Sequence, residues 1–286
     1  MSKLLTKLWQ IFEQVVFHYS YPRYNYPLYF VAKRYCKFYE NNENGNLSTN
    51  GELFFITSIL KQIDPEVLFD IGANKGEYSQ LILDQFPDCI IHCFEPDSRV
   101  FSILKTKYKN INNIKLNHLA VSDHNGKAKF YLNKDPGLNS LFDMNNIGYH
   151  YDNMLSTVSL ETIDNYCKTH YIKTIDFVKI DVEGAELSVL MGGPRMLSGN
   201  RIKMIQFEYG HAAISSKTFL KDIYDLLLGY NYTIYKIMPL GLLHQPYSPY
   251  NEHIAFANYL AVNSKVKINS EYLINRPDIY RQVPII

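Results

Sequence analysis

Residues Val67–Tyr78 read VLFDIGANKGEY. Val67–Ile71 is a short run of β-formers, Gly72 stops it, and Glu77–Phe86 resumes with helical spacing through Tyr78, Leu81, Ile82 and Gln85. This is a strand, a glycine turn and a helix. Gly72 and Gly76 permit positive φ and close approach of a ligand. The helix start offers unbonded N–H groups. Open α/β sheets bind ligands at the carboxyl ends of their strands, so the turn marks a binding site.

Outward from this turn the pattern repeats. Cys89–Phe94 is a second apolar strand ended by Glu95-Pro96, Ser98–Tyr108 is helical, and Ile114–Val121 is a third strand. Lys127–Leu132 alternates like a strand, and Asp135–His150, rich in Gly, Asn and Asp, reads as a long loop of the kind that covers binding sites. Strands at Phe177–Ile180 and Met204–Phe207 alternate with helices at Ala185–Met191 and Phe219–Leu228; closing strands lie near Tyr232–Ile237 and Ile254–Ala261. Glu52–Gln62 precedes the set as a helix. The expected fold is α/β: a doubly wound, mostly parallel, Rossmann-like sheet with an antiparallel closing strand and an N-terminal helical extension. The expected division is 1–46 for the extension and 47–286 for the main domain.

The turn restricts its ligand. A dinucleotide fingerprint needs G-x-G-x-x-G, and Asn74 stands where the second Gly would admit a pyrophosphate. A phosphate-binding G-x-x-x-x-G-K-[ST] loop is absent. Asp70 at the strand end would repel phosphate and attract an ammonium group. Glu95, 25 positions after Asp70, ends the second strand where a carboxylate accepts hydrogen bonds from ribose hydroxyls. A nucleoside without phosphate fits these residues.

Four segments together resemble the FkbM-type methyltransferases: DIGANKGEYS (70–79), CFEPD (93–97), AVSD (120–123) and VKIDVEGAELSVL (178–190). The resemblance spans Val67 to Gly210 and is loose outside it. It implies a class I enzyme that uses S-adenosylmethionine and O-methylates sugar or natural-product hydroxyls. Carried over, Asp70, Gly72, Asn74 and Gly76 would hold the methionine part. Glu95, flanked by Pro96 and Asp97, would hold the ribose. Ala120, Val121 and Asp123 would lie beside the adenine. Asp181 would face the cofactor as well as the acceptor. In the long loop, Asn139-Ser140-Leu141 matches a Ser-Leu pair frequent in the family, so Ser140 is expected to bind substrate; Tyr149 and Tyr151 could stack on a sugar face.

An alcohol acceptor loses a proton on methylation, so a base within hydrogen-bond reach helps. The candidates are Asp181, Glu183, Glu208 and His211, at the ends of the middle strands. Glu183 and Glu186 also suit a helix N-terminus through its dipole alone. Asp181, Glu183 and Glu208 could instead gather around a divalent cation; no metal site is assigned.

Composition narrows the partners. Lys+Arg (29) balances Asp+Glu (28), which gives no electrostatic reason to expect nucleic acid. Tyr reaches 24 copies, which suits sugar-binding surfaces, although AT-biased codon usage would produce the same excess. The four cysteines form no C-x-x-C pair or zinc pattern and fit a reducing, cytoplasmic setting. In the first 17 residues Leu4, Leu5, Leu8, Ile11, Phe12, Val15 and Val16 follow the helical period, interrupted by Lys7, Gln10, Glu13 and Gln14. That is neither a signal peptide nor a transmembrane span. Such a helix could pack on the domain, on a second copy in a homodimer, or on a membrane surface. Two rival functions share the strand–Gly–helix unit: an NAD-type oxidoreductase, and a non-catalytic cofactor-binding module. Binding of NADH without S-adenosylhomocysteine would favour the first.

Overall fold

The computed structural model describes residues 3–19, 26–148 and 154–275. The chain divides into two compact units, Met1–Asn42 and Glu43–Ile286. The first holds two helices, Lys3–Tyr19 and Tyr26–Tyr39.

The second unit carries eleven strands among its described residues: β1 Val67–Ile71, β2 Ile90–Phe94, β3 Ile114–Asn117, β4 Ala120–Val121, β5 Gly126–Leu132, β6 Met154–Glu161, β7 Ile175–Ile180, β8 Ile202–Tyr209, β9 Tyr232–Met238, β10 Gly241–His244 and β11 Ala257–Asn263. Eight of them form one sheet in the order β10-β9-β11-β8-β7-β1-β2-β3. The pairs from β3 to β8 are parallel, while β11 runs antiparallel between β8 and β9, and β10 antiparallel at the edge. The fold is thus doubly wound and mostly parallel, with two antiparallel strands where one was expected. From β1 the chain winds outward through β2 and β3, then returns to lay β7 on the other side of β1. That reversal opens a crevice at the carboxyl ends of β1, β2 and β7.

Alternation along each strand sends side chains to opposite faces. Phe69, Ile71, Val178, Ile205 and Phe207 pack with Ile163, Tyr166, Leu190 and Tyr224 on one face. Leu68, Phe177, Met204 and Leu260 pack with Phe55, Ile59, Tyr78, Ile82 and Leu104 on the other.

Two sequence expectations change. The helix expected over Glu52–Gln62 is one short α-turn, Glu52–Phe54, a π-helix over Phe55–Ile59 and a 3₁₀ turn over Leu60–Ile63. Phe55, Ile56, Ile59 and Leu60 are all fully buried, so the apolar face that the helical spacing predicts is present. The third strand stops at Asn117. Ala120 and Val121 leave the large sheet and pair with β6 in a separate sheet of order β4-β6-β5, where Ala120 packs on Phe130, Val158 and Leu160. Of this second sheet, β5 matches the alternating run expected at Lys127–Leu132, whereas β6 is not legible from the local pattern. The sheet carries the long loop to the crevice.

Candidate active site

The turn after β1 is held to its neighbours by its backbone. Gly72 and Ala73 donate N–H bonds to the Phe94 carbonyl at 3.0 Å each, and Asp181 N–H donates to the Ile71 carbonyl. Gly72 sits at φ +84°, and a Cβ there would lie 1.8 Å from the Asp181 carbonyl oxygen. Gly76, at φ +72°, starts the helix Glu77–Gln85 beneath the Tyr108 ring; Tyr108 and Lys107 both donate to its carbonyl, at 2.6 and 2.8 Å.

A cleft opens above the turn, lined by Gly72, Asn74, Glu95 and Asp181. Its walls include Pro96, Ala120, Val121, Phe130, Leu141 and Val182. Glu95 is buried and accepts N–H bonds from Asn74 at 2.9 Å and Asp97 at 2.8 Å. These bonds fix the carboxylate and leave lone pairs directed at the cavity for hydroxyl donors. Burial pushes its carboxyl up to about 7, although the two N–H groups pull the other way.

A second cavity shares Gly72, Asn74 and Asp181 with the first. Its distinctive lining is polar: Asn44, Asn50, Glu52, Lys179, Glu208 and Asn258. Lys179 is buried, donates to Asp181 at 2.8 Å, and lies 5.0 Å from the centre of the Tyr78 ring. Asp181, Asp70 and Glu52 outweigh its burial and keep it charged. Oxygens of Asp181, Glu183 and Glu208 all fall within 4.8 Å of one another. Burial first, and Asp181 second, push the Glu183 and Glu208 carboxyls well above the usual carboxylate range. Three carboxylates this close share protons, or a hard cation, rather than carry three full charges.

Residues 70–234 match the family model described as the methyltransferase FkbM domain. The chain belongs to the FkbM methyltransferase family. Among curated proteins, a 2-O-methyltransferase, NoeI, of Sinorhizobium fredii is 30% identical over 184 residues, covering 60% of this chain and 74% of that protein. Among solved structures, an FkbM methyltransferase of Methylobacillus flagellatus superposes with a TM-score of 0.45 at 18% identity, covering 69% of this chain; this chain spans only 44% of that one. The N-methyltransferase NodS of Bradyrhizobium japonicum, solved with S-adenosylhomocysteine, superposes with a TM-score of 0.40 at 9% identity over 74% of this chain and 84% of its own. As an FkbM methyltransferase the chain is an enzyme, and its methyl donor is S-adenosylmethionine. The nicotinamide and non-catalytic readings fall with that match.

The FkbM assignment permits a fit test on these residues. Asn74 Oδ1 and Asp70 Oδ1 are buried without a hydrogen-bond partner, a deficit of about 1–3 kcal/mol each unless a donor arrives. Asn74 lines both cavities, so a ligand spanning them would supply one. A donor with hydroxyls at one end and an ammonium at the other fits Glu95 and the junction of the two cavities at Asn74 and Asp181, which leaves the rest of the second cavity open.

The remaining candidates are placed as follows. Gly72, Asn74, Glu95, Pro96, Ala120, Val121, Asp181 and Glu183 line the first cavity. Asp70 lies under the turn, fully buried, bonded to Ser79 and lining neither cavity. Gly76 is packed beneath Tyr108 rather than exposed to a ligand. Asp123 is exposed, pairs with His124 and borders a separate surface groove with Asp164 and Arg195. His211 lies 3.9 Å from Glu43 and lines neither cavity. Ser140 is fully buried and donates to the Glu183 carbonyl at 2.6 Å, so it ties the loop down rather than facing a cavity. Asn139 reinforces this by donating to Asp97 at 2.8 Å. Glu186 accepts from Val182 and Gly184 N–H groups, which makes it a brace for its own turn. Tyr149 and Tyr151 lie outside the described residues.

Sequence reading passes over Asn50, Glu52, Lys179, Gln206 and Asn258. Gln206 donates to Glu52 at 2.5 Å and to Asn258 at 3.2 Å, and accepts from Tyr78 at 2.7 Å; Asn50 donates to Glu52 at 2.5 Å. One signal was available: Lys179 and Gln206 are polar residues inside largely buried strands, and buried polar groups need partners.

Proposed function

We propose that the chain methylates a hydroxyl of a neutral, polyhydroxylated acceptor, a sugar or glycan. The observation that carries this is the polar second cavity, which meets the first at Gly72, Asn74 and Asp181. Its carboxylates and amides suit hydroxyl groups and repel phosphates, which disfavours nucleic acid. The naming of the NoeI relative as a 2-O-methyltransferase supports an oxygen acceptor.

S-adenosylmethionine supplies a methyl group already activated on a sulfonium. The protein therefore positions the acceptor, excludes water and takes up one proton. Glu95 accepts the ribose hydroxyls, while Ala120, Val121 and Pro96 form the apolar wall beside the base. Asp181 is locked by Lys179, so it orients. Glu183 and Glu208 make no side-chain hydrogen bond among the described residues, and whichever is ionised takes the acceptor proton. Ser140 and Asn139 hold the loop over the site. Cys89, Cys93 and Cys167, all buried thiols, fit a reducing, cytoplasmic compartment.

The acceptor class is tested with labelled methyl donor and three sets of saccharides: neutral, amino and uronic. Neutral saccharides are expected to be methylated fastest. Preference for amino or uronic acceptors would overturn this reading of the second cavity.

A pH dependence also follows. Only ionised Glu95 accepts from both ribose hydroxyls, so S-adenosylhomocysteine affinity is expected to be constant above about 7 and to weaken below it. The weakening approaches about tenfold per pH unit. Calorimetry on Glu95→Gln should show weaker binding with a flatter profile; an unchanged profile would remove Glu95 from the ribose site.

A further inference from the structure

We propose that the first unit, through the helices Lys3–Tyr19 and Tyr26–Tyr39, is an interfacial anchor for an anionic lipid surface. The inference is independent of the acceptor assignment.

Its helices expose large apolar side chains at a density unusual for a surface bathed by water. Leu8, Ile11 and Val15 are each about half exposed, and Leu28, Val31 and Phe38 more than 60%. The helix Tyr26–Tyr39 has no buried residue at all. Apolar patches of this extent mark interaction surfaces.

Charge identifies the occupant. The first 42 residues carry six Lys/Arg against two acidic residues, Glu13 and Glu40; the remaining residues carry 23 against 26. The positive charge of the chain is therefore concentrated in the segment that carries many of its exposed large apolar side chains. A second copy would bring like charges together across the same face, whereas an anionic bilayer neutralises them. The residue types agree. Six of the fourteen residues of Tyr26–Tyr39 are Tyr or Phe, and amphipathic aromatics favour the headgroup region. The Arg34 guanidinium carbon lies 5.4 Å from the Phe38 ring centre, so a cation and an aromatic ring share this exposed surface.

The mode is adsorption, not spanning. The helices have 17 and 14 residues, with charges within them. Among the described residues no helix is long and apolar enough to cross a membrane. Short amphipathic helices with cationic and aromatic residues lie in the interface plane.

Trp9, the sole tryptophan, lies in the first helix and is 56% exposed, so its emission reports on this surface alone. The full chain is mixed with phosphatidylcholine vesicles, with and without phosphatidylglycerol. Trp9 emission is expected to move to shorter wavelength, and the protein to co-sediment, only with the anionic vesicles. Raising salt to about 0.5 M should weaken partitioning at least about tenfold. The double variant Lys33→Glu/Arg34→Glu should lose about as much, with its circular dichroism unchanged. Equal partitioning onto neutral vesicles, or no partitioning at all, would overturn the proposal. So would a blue shift that appears with rising protein concentration and no lipid, which would assign the surface to a second copy.

Discussion

Glu208→Gln is expected to lower methyl transfer by about 10²–10⁴-fold while S-adenosylhomocysteine affinity changes little. Of the three clustered carboxylates, Asp181 is held by Lys179 at 2.8 Å, which occupies one of its oxygens. Glu208 makes no side-chain hydrogen bond among the described residues, and it lines the second cavity beside Asn258. Burial first, and its carboxylate neighbours second, raise its proton affinity, which makes it a stronger base than a free carboxylate. The amide keeps the shape and removes the proton acceptor. A rate loss matched by an equal loss of cofactor affinity would instead place Glu208 in the cofactor site. An unchanged rate would move the base to Glu183. Loss of wild-type activity on chelation, restored by a divalent cation, would assign the cluster to a metal rather than to a shared proton.

Gly72→Ala is expected to abolish measurable S-adenosylhomocysteine binding and to lower stability by several kcal/mol. Two effects add. The residue sits at φ +84°, which costs a non-glycine residue about 1–2 kcal/mol. Its Cβ would also stand 1.8 Å from the Asp181 carbonyl oxygen, an overlap relieved only by driving β1 and β7 apart at their ends, costing about 1–3 kcal/mol more. That movement would misplace Asn74, Glu95 and Asp181 together, because one hydrogen-bonded turn holds them. Gly148→Ala is the control. It shares a positive φ of +92° but has nothing within 4 Å of the added carbon. It should lose only the conformational part. Thermal melts and calorimetry on both variants separate backbone strain from the clash. If Gly72→Ala bound as tightly as wild type, the turn would not be the structural centre of the site.

The parts of this molecule legible in the sequence are those written locally. The β1 turn reads correctly because strand, glycine and helix follow within twelve residues. The place of Glu95 directly after β2 and beside that turn is legible because the second apolar run ends at Phe94. The second sheet is legible only at β5, because β5 and β6 pair across a long loop, and because β6 (MLSTVSLE) is mostly small and polar along its exposed face. The second cavity fails for a related reason. Glu52 and Asn50 precede the first strand, while Asn258 comes from β11, more than 200 residues later. Only the antiparallel insertion of β11 beside β8 brings Asn258 next to Glu208. Ser140 was taken from a motif match, and its burial against the Glu183 carbonyl depends on the loop path. His211 follows Glu208 closely in sequence, but the intervening Gly210 lets the chain leave the strand, and it faces Glu43 instead.

The most direct test of the account is the chemical position of the transferred methyl. With donor carrying a ¹³C-labelled methyl and a saccharide acceptor, the heteronuclear NMR spectrum of the isolated product gives the atom bonded to the label. The account predicts an ether methyl on a sugar oxygen, formed by wild type and lost in Glu208→Gln. A methyl bonded to nitrogen or carbon would contradict it.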